Sequence, residues 1–414
     1  MNFYETYIKK LEGRIKRIEE NPDPTKLKSN KLRYEIELEL AKEQLEGWRL
    51  GKPFSDGGSM TAGILTRAMG FIPVGGVTPS FQTMEPQKYL DQARDKGLPV
   101  DQSCDMTMMP FAMMECGDVP MEDLAISDQH CCLPMMLRGI HVAHTSNTIT
   151  YYVDIPFDEN EDTLKYVNDQ LGEFIEFAEK KYPGVIKYDE DRLIEMQKYE
   201  ETSRNISEEV YRMAKHKPCP VSGRGGGGGP AFFGAGPLNV EYARVWRDEV
   251  AERVTKGIAA VPGEKLRVLW TGVSNPVFMD PYKVLAKWKI AVPRARSTIR
   301  DTSTWGDRKL TPLEKVAARS INDHRSSLGS IYVNNIIWTA KDLEVDGIVN
   351  YNMRGCTCAL GLKKMIEEKA EKELGIPTLQ LEGAQWDSSY ASEATITTQL
   401  DEFAQMLLNM NGLA

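Results

Sequence analysis

Residues 123–127 read Asp-Leu-Ala-Ile-Ser, and residues 148–156 read Thr-Ile-Thr-Tyr-Tyr-Val-Asp-Ile-Pro. Both are short apolar runs of the strand-forming kind, separated by a helical or irregular stretch over 129–145. Strand, connector, strand is the mark of a βαβ unit, because parallel strands need a long crossover between them. The same rhythm returns later in the chain. Leu266-Arg267-Val268-Leu269-Trp270 reads as a strand ending at Thr271-Gly272, Val345 to Tyr351 as another, and Thr378 to Glu382 as the last. Helical texture fills 311–342 and continues after Tyr351 through Leu374, and a closing helix covers 395–411. Upstream, Phe54–Ser59 reads as a loop, Met60–Met69 as a short helix and Phe71–Val74 as a buried strand.

Working outward, residues 1–50 are charged. Leu11, Ile15, Ile18, Leu27, Leu32, Ile36, Leu40 and Leu45 recur at helical spacing, broken at Asn21-Pro22-Asp23-Pro24. That is a helical hairpin with Pro-x-Pro at its turn, its charged faces either solvated or meeting a partner. Residues 158–216 are again helical, with Leu171, Phe174, Ile175, Phe177 and Ala178 on one apolar face. The expected class is α/β: an N-terminal helical segment plus two open parallel-sheet (Rossmann/flavodoxin-like) domains. The expected boundaries are 1–50 for the hairpin, 51–222 for the first α/β domain, 223–236 for a Gly-rich linker or loop, and 237–414 for the second α/β domain.

Composition narrows the function. A chain of 414 residues predicts two or three packed units at roughly 100–200 residues each. Its net charge of −9 argues against nucleic acid as the main partner, since phosphate binding needs a basic face. No apolar run approaches the ~20 residues of a membrane span, and the charged start Met1–Glu5 has no signal-peptide pattern. The expectation is a soluble, cytoplasmic protein.

Seven cysteines stand at 104, 116, 131, 132, 219, 356 and 358. Structural disulfides are not expected in the cytoplasm, and six of the seven fall in three short neighbourhoods. Cys131 and Cys132 follow one predicted strand, and Cys356 and Cys358 another, where open α/β sheets collect ligands. Three thiolates from separate segments suit an iron–sulfur cluster or a zinc ion. CxxC spacing is absent, however, and cysteine also serves as a small buried hydrophobe, the reading that fits Cys219 best and also suits Cys116.

"VDQSCDM" around Cys104, "LAISDQHC" ending at Cys131, "YYVDIP", "VDGIVNYNMRGC" ending at Cys356 and "GIPTLQLEG" occur in this order. Together they resemble the benzoyl-CoA reductase / 2-hydroxyacyl-CoA dehydratase family of iron–sulfur subunits, from about residue 51 to the C-terminus. "MRGC" followed by "GLKK", and the later "WDSSYAS", are most similar to the B-type subunit of benzoyl-CoA reductases. The resemblance implies one 4Fe–4S cluster per chain, between the two domains and held by Cys104, Cys131 and Cys356. It also implies a homologous sister subunit, a separate ATP-dependent activator and an acyl-CoA substrate. The implied reaction is low-potential single-electron reduction of an aromatic acyl-CoA. The alternatives are elimination of water from a 2-hydroxyacyl-CoA through a ketyl radical, or a non-catalytic electron-transfer or scaffold role beside a catalytic sister. Cys132 and Cys358 are the competing ligands at their positions. Extra thiols at 116, 132 and 358 leave a double cubane as a further alternative.

The chain also departs from the family's pattern. Many relatives have Pro-x-Glu where this chain reads Ser59-Met60-Thr61-Ala62-Gly63, an aromatic residue where Asp105 follows the first cysteine, and Asp-Gly where Cys132-Leu133-Pro134 stands. His130 beside Cys131 is either a donor to cluster sulfur or an acid, or an ordinary loop histidine; His141, His144, His216 and His324 show no metal-binding spacing. Gly223–Gly229 lacks a P-loop ending and reads first as a flexible connector. Met106, Met108, Met109, Met113 and Met114 are either adaptable packing over the cluster or plain core.

Overall fold

The computed structural model describes residues 3–21, 27–55, 62–73, 85–127, 132–146, 148–223, 236–272, 274–294, 305, 308–323 and 328–413. Within these, eight strands build two all-parallel sheets of four. The first holds β1 (Phe54–Ser55), β2 (Ile72–Pro73), β3 (Leu124–Ser127) and β4 (Ile149–Tyr152), in the order β2-β1-β3-β4. The second holds β5 (Leu266–Thr271), β6 (Ile290–Ala291), β7 (Gly347–Met353) and β8 (Thr378–Gly383), in the order β6-β5-β7-β8. Counted from its own first strand, each half has the same topology, which is the α/β architecture the sequence predicts.

The βαβ unit that opened the reading is present. β3 and β4 pair in parallel, Leu124 opposite Ile149 through Ser127 opposite Tyr152, joined by the helix Leu133–Thr145. β4 ends four residues short of the expected run, although the Val153 N–H still donates to Ser127 O at 2.8 Å. Phe54–Ser55, expected as loop, is instead the interior strand β1. Two residues carry no periodicity from which a strand can be read, and β6 escapes for the same reason.

β5 and β7 are buried along their whole length, as strands covered on both faces should be. One face of β7 presents Ile348 to the helices Gly329–Asp342 and Lys363–Leu374. The other presents Val349, Tyr351 and Met353 to Ile396, Leu400, Phe403 and Leu407 of the helix Glu393–Met410. Ser392 caps that helix by accepting the Thr395 N–H at 3.1 Å. Cys104 and Cys356 sit in this last core.

The two halves interlock. Val316, Ala317 and Ile321 of the helix Pro312–Ile321 belong to the core around Leu171, Phe174 and Ala178 of the helix Glu161–Lys181. The N-terminal pair Phe3–Glu20 and Ser29–Arg49 forms the expected hairpin, with Pro22–Pro24 of its turn outside the described residues. Tyr4, Tyr7, Leu11 and Leu45 pack it onto Met108, Met109, Phe111, Met113 and Met114 of the helix Asp105–Glu115. Four of the five methionines near Cys104 are thus plain core. Met106, half-buried, also touches the core containing both cysteines.

Candidate functional site

In an open sheet of this order the direction of winding reverses between the first and third strands, and the crevice beyond their carboxyl ends is where ligands bind. Cys132 comes just beyond β3 and Cys356 just beyond β7, so both halves aim a cysteine loop at their own switch point. Cys104 arrives on a third segment, at the N-cap of the helix Asp105–Glu115. Gly355, at φ 71°, lies flat against that segment: a Cβ there would stand 2.5 Å from the Ser103 carbonyl carbon and 2.7 Å from the Cys104 nitrogen. Only glycine permits this approach. The Leu133 N–H donates to Thr357 Oγ1 at 3.1 Å, tying the Cys132 loop to the Cys356 loop.

Burial divides the thiols. Cys104 and Cys356 are 5% and 6% exposed, while Cys132 and Cys358 are half-buried. Burial pushes the Cys104 thiol well up, and the nearby Asp105, Cys356 and Cys132 add to the effect. Cys356 is lowered instead, first by a hydrogen bond from the Cys358 thiol, against burial and the nearby Cys132, with the N–H groups of Ala359 and Cys358 assisting. Backbone N–H groups facing buried sulfur are what an iron–sulfur centre uses to tune its charge. A cation there would also release the proton that burial keeps on Cys104.

Asp105 holds the second half against the first. It is buried, and its carboxylate accepts the N–H of Gln385 at 3.0 Å, Trp386 at 2.7 Å and Asp387 at 3.1 Å. Asp387 in turn accepts from Arg94 at 2.8 Å and Arg354 at 3.0 Å, and the Arg354 guanidinium lies 4.6 Å over the Tyr390 ring. Burial pushes the Asp387 carboxyl up but is outweighed by hydrogen bonds from Ser389 and Arg354 and the Arg94 charge, which together hold it below the usual carboxylate range. In the sequence Asp105 was visible only as a departure from a family pattern, with no sign that its partners lie some 280 residues on.

A cavity of about 340 Å³ opens beside the loops, lined by Gln102, Ser103, Leu133, Pro134, Leu137, Gly355, Thr357, Leu360 and Gly361. A second, of about 410 Å³, lies between the helices Ser29–Arg49 and Pro237–Lys256 and has no cysteine among the described residues of its wall.

Of the predicted ligands, the structure brings together Cys104 and Cys356; Cys131 lies outside the described residues, as do His130, His324, Ser59–Thr61 and 224–229 of the glycine run. Among the described residues no three His, Cys, Asp or Glu side chains converge closely enough to hold a metal ion. Cys116 caps the far end of the helix that Cys104 begins, about 18 Å away at 1.5 Å per residue, and its thiol faces Gln92 Oε1 at 2.7 Å. It is therefore no spatial neighbour of the site. Cys219 is core, its thiol donating to Val221 O at 2.9 Å. His141 packs edge-on to Phe111, and His144 and His216 are exposed.

A sequence model described as 2-hydroxyglutaryl-CoA dehydratase, D-component, matches residues 59–407, a span that contains all seven cysteines. The chain belongs to this family. Relatives of this D-component family member include the (R)-phenyllactyl-CoA dehydratase alpha subunit of Clostridium sporogenes, 25% identical over 74% of this chain and 77% of that protein. The B-type subunit of benzoyl-CoA reductase from Thauera aromatica is 23% identical over 73% and 76%. The alpha subunit of (R)-2-hydroxyglutaryl-CoA dehydratase from Acidaminococcus fermentans is 22% identical over 70% and 61%. The resemblance read from the ordered cysteine motifs is borne out. The family match begins beyond the N-terminal hairpin, and among the described residues no helix is long and apolar enough to cross a membrane.

Proposed function

We propose that the chain is the cluster-bearing subunit of a heteromeric acyl-CoA enzyme, with one 4Fe–4S cluster held by Cys104, Cys131 and Cys356. The observation that carries this is the meeting of Cys104 and Cys356 at a switch point, from positions some 250 residues apart in a chain of this family. The donor chemistry fits: buried thiols, backbone N–H groups directed at sulfur, and a glycine contact that admits no side chain. When bound, such a cluster supplies single electrons at low potential and, with three protein thiolates, keeps one iron open.

The chain's own residues do the rest. Asp105 and Gly355 fix the Cys104 and Cys356 loops against one another, and Leu133, Leu137 and Leu360 give the acyl group an apolar surface. Elimination of water from a 2-hydroxyacyl-CoA is the reading supported by the family description and by two of the relatives named above. Reduction of an aromatic acyl-CoA is the second reading, supported by the "MRGC" and "WDSSYAS" motifs and the benzoyl-CoA reductase relative. Relatives named as one subunit of an assembly support a homologous sister, and the glycine run that lacks a P-loop ending is in keeping with a separate ATP-dependent activator. Anaerobic purification with iron and sulfide analysis and electron paramagnetic resonance tests the proposal. About four irons per chain are expected for a single cubane, about eight would mean a double one, and an iron-free chain refutes it.

A further inference from the structure

We propose that the cavity beside Cys104 and Cys356 accepts an uncharged acyl group and rejects a dicarboxylic one. The inference rests on reading that cavity as the acyl-CoA site. Its wall is apolar at Leu133, Pro134, Leu137 and Leu360 and otherwise neutral, with Ser103 and Thr357 as its hydroxyl residues. Among the described residues, none that lines it carries a charge.

The charged side chains next to those residues in sequence are all held elsewhere. Arg138, one residue beyond Leu137, is buried and makes two bonds to Glu122 at 2.6 and 2.7 Å. Arg354, one residue before Gly355, is taken up by Asp387 and the Tyr390 ring. Lys363 reaches Glu382 at 2.7 Å, and Asp101 is held by Arg94. Asp105 is committed to three backbone N–H groups.

An acyl group with a distal carboxylate would therefore enter this wall with no cation among the described residues to meet it, and an unpaired charge leaving water is strongly disfavoured. A phenyl or short alkyl group meets no such penalty. The size agrees: 340 Å³ is at the small end of the ~300–1,000 Å³ typical of ligand pockets, enough for an acyl group and not for the nucleotide end of coenzyme A. Leu133 and Leu137, 47% and 41% exposed, form an open apolar rim. Ser103 adds one neutral handle, since its hydroxyl is buried and has no hydrogen-bond partner among the described residues. Sites of this make-up, mostly apolar with a few fixed polar groups, orient a ligand without requiring it to carry charge.

Isothermal titration of the anaerobically purified assembly with benzoyl-CoA, glutaryl-CoA and free coenzyme A tests the inference. Benzoyl-CoA should bind at least tenfold more tightly than glutaryl-CoA. Leu137→Lys, at a half-exposed helix position that tolerates a long polar chain, should shrink or invert that ratio, and Leu133→Lys should do the same. If glutaryl-CoA binds as tightly as benzoyl-CoA, and both more tightly than coenzyme A, the selectivity is wrong while the acyl-CoA reading stands. If neither thioester binds better than coenzyme A, the acyl-CoA reading of the site falls, and the inference with it. A preference for benzoyl-CoA that both lysine variants leave untouched would place the selection elsewhere and overturn the inference.

Discussion

Replacing Asp105 by asparagine keeps the shape of the side chain and removes one acceptor oxygen. In the parent, Oδ1 takes the Gln385 N–H and Oδ2 takes those of Trp386 and Asp387. The amide has a single oxygen, which best serves the pair on Oδ2, so the Gln385 N–H is left facing an NH2 group. One orphaned buried donor costs about 1–3 kcal/mol, and two charge-assisted bonds become neutral ones at about half their strength. Burial works the other way, because it disfavours the ionised carboxyl and pushes Asp105 upward. The net loss should be about 2–3 kcal/mol, within the ~5–15 kcal/mol of a typical domain, so the variant still folds. Urea unfolding of the metal-free chain should show a lower midpoint with an unchanged slope, and iron retained per chain should fall, because Cys104 is the next residue. A variant within ~0.5 kcal/mol of the parent, the range of an ordinary surface change, would refute the reasoning.

Gly355→Ala forces a Cβ into the Ser103–Cys104 backbone at a left-handed φ. The two strains together should cost about 2–4 kcal/mol and most of the bound iron, read by the same two assays. Asp387 is lowered in the folded chain, so its contribution is present above the ordinary carboxylate pKa and lost as pH falls through its folded value. The stability gap between the parent and Asp387→Asn should accordingly be full at pH 7 and close only as pH falls below the ordinary carboxylate range, when urea midpoints are compared. Cys131→Ser should abolish the iron signal while Cys132→Ser and Cys116→Ser retain it; loss of iron in Cys132→Ser with retention in Cys131→Ser moves the ligand by one residue.

The long strands were legible because burial on both faces leaves a mostly apolar run, as in Leu266–Thr271, interrupted at Arg267, and Gly347–Met353, interrupted at Asn350 and Asn352. Phe54–Ser55 and Ile290–Ala291 were not, since a strand held by its neighbours need carry no pattern of its own. Cys356 was marked by its place after a strand and by its motif. The Asp105 clamp and the glycine contact were invisible for a different reason: each joins segments whose meeting depends on the whole packing, with no local signature at either end. Cys116 misled in the opposite sense, near Cys104 along the chain and a helix length away in space.

The distance along the chain between Cys104 and Cys356 also sets a schedule. At about 5–20 residues per second of synthesis, the first thiol emerges roughly 13–50 s before the second. Throughout that interval the Cys104 loop has neither the Gly355 backbone to lie against nor the Gln385–Asp387 turn for Asp105 to grip. The seat between the halves is completed only when nearly the whole chain is available. On the proposed reading, delivery of iron and sulfide would follow translation, and in air the early thiol is the one left waiting for an oxidant.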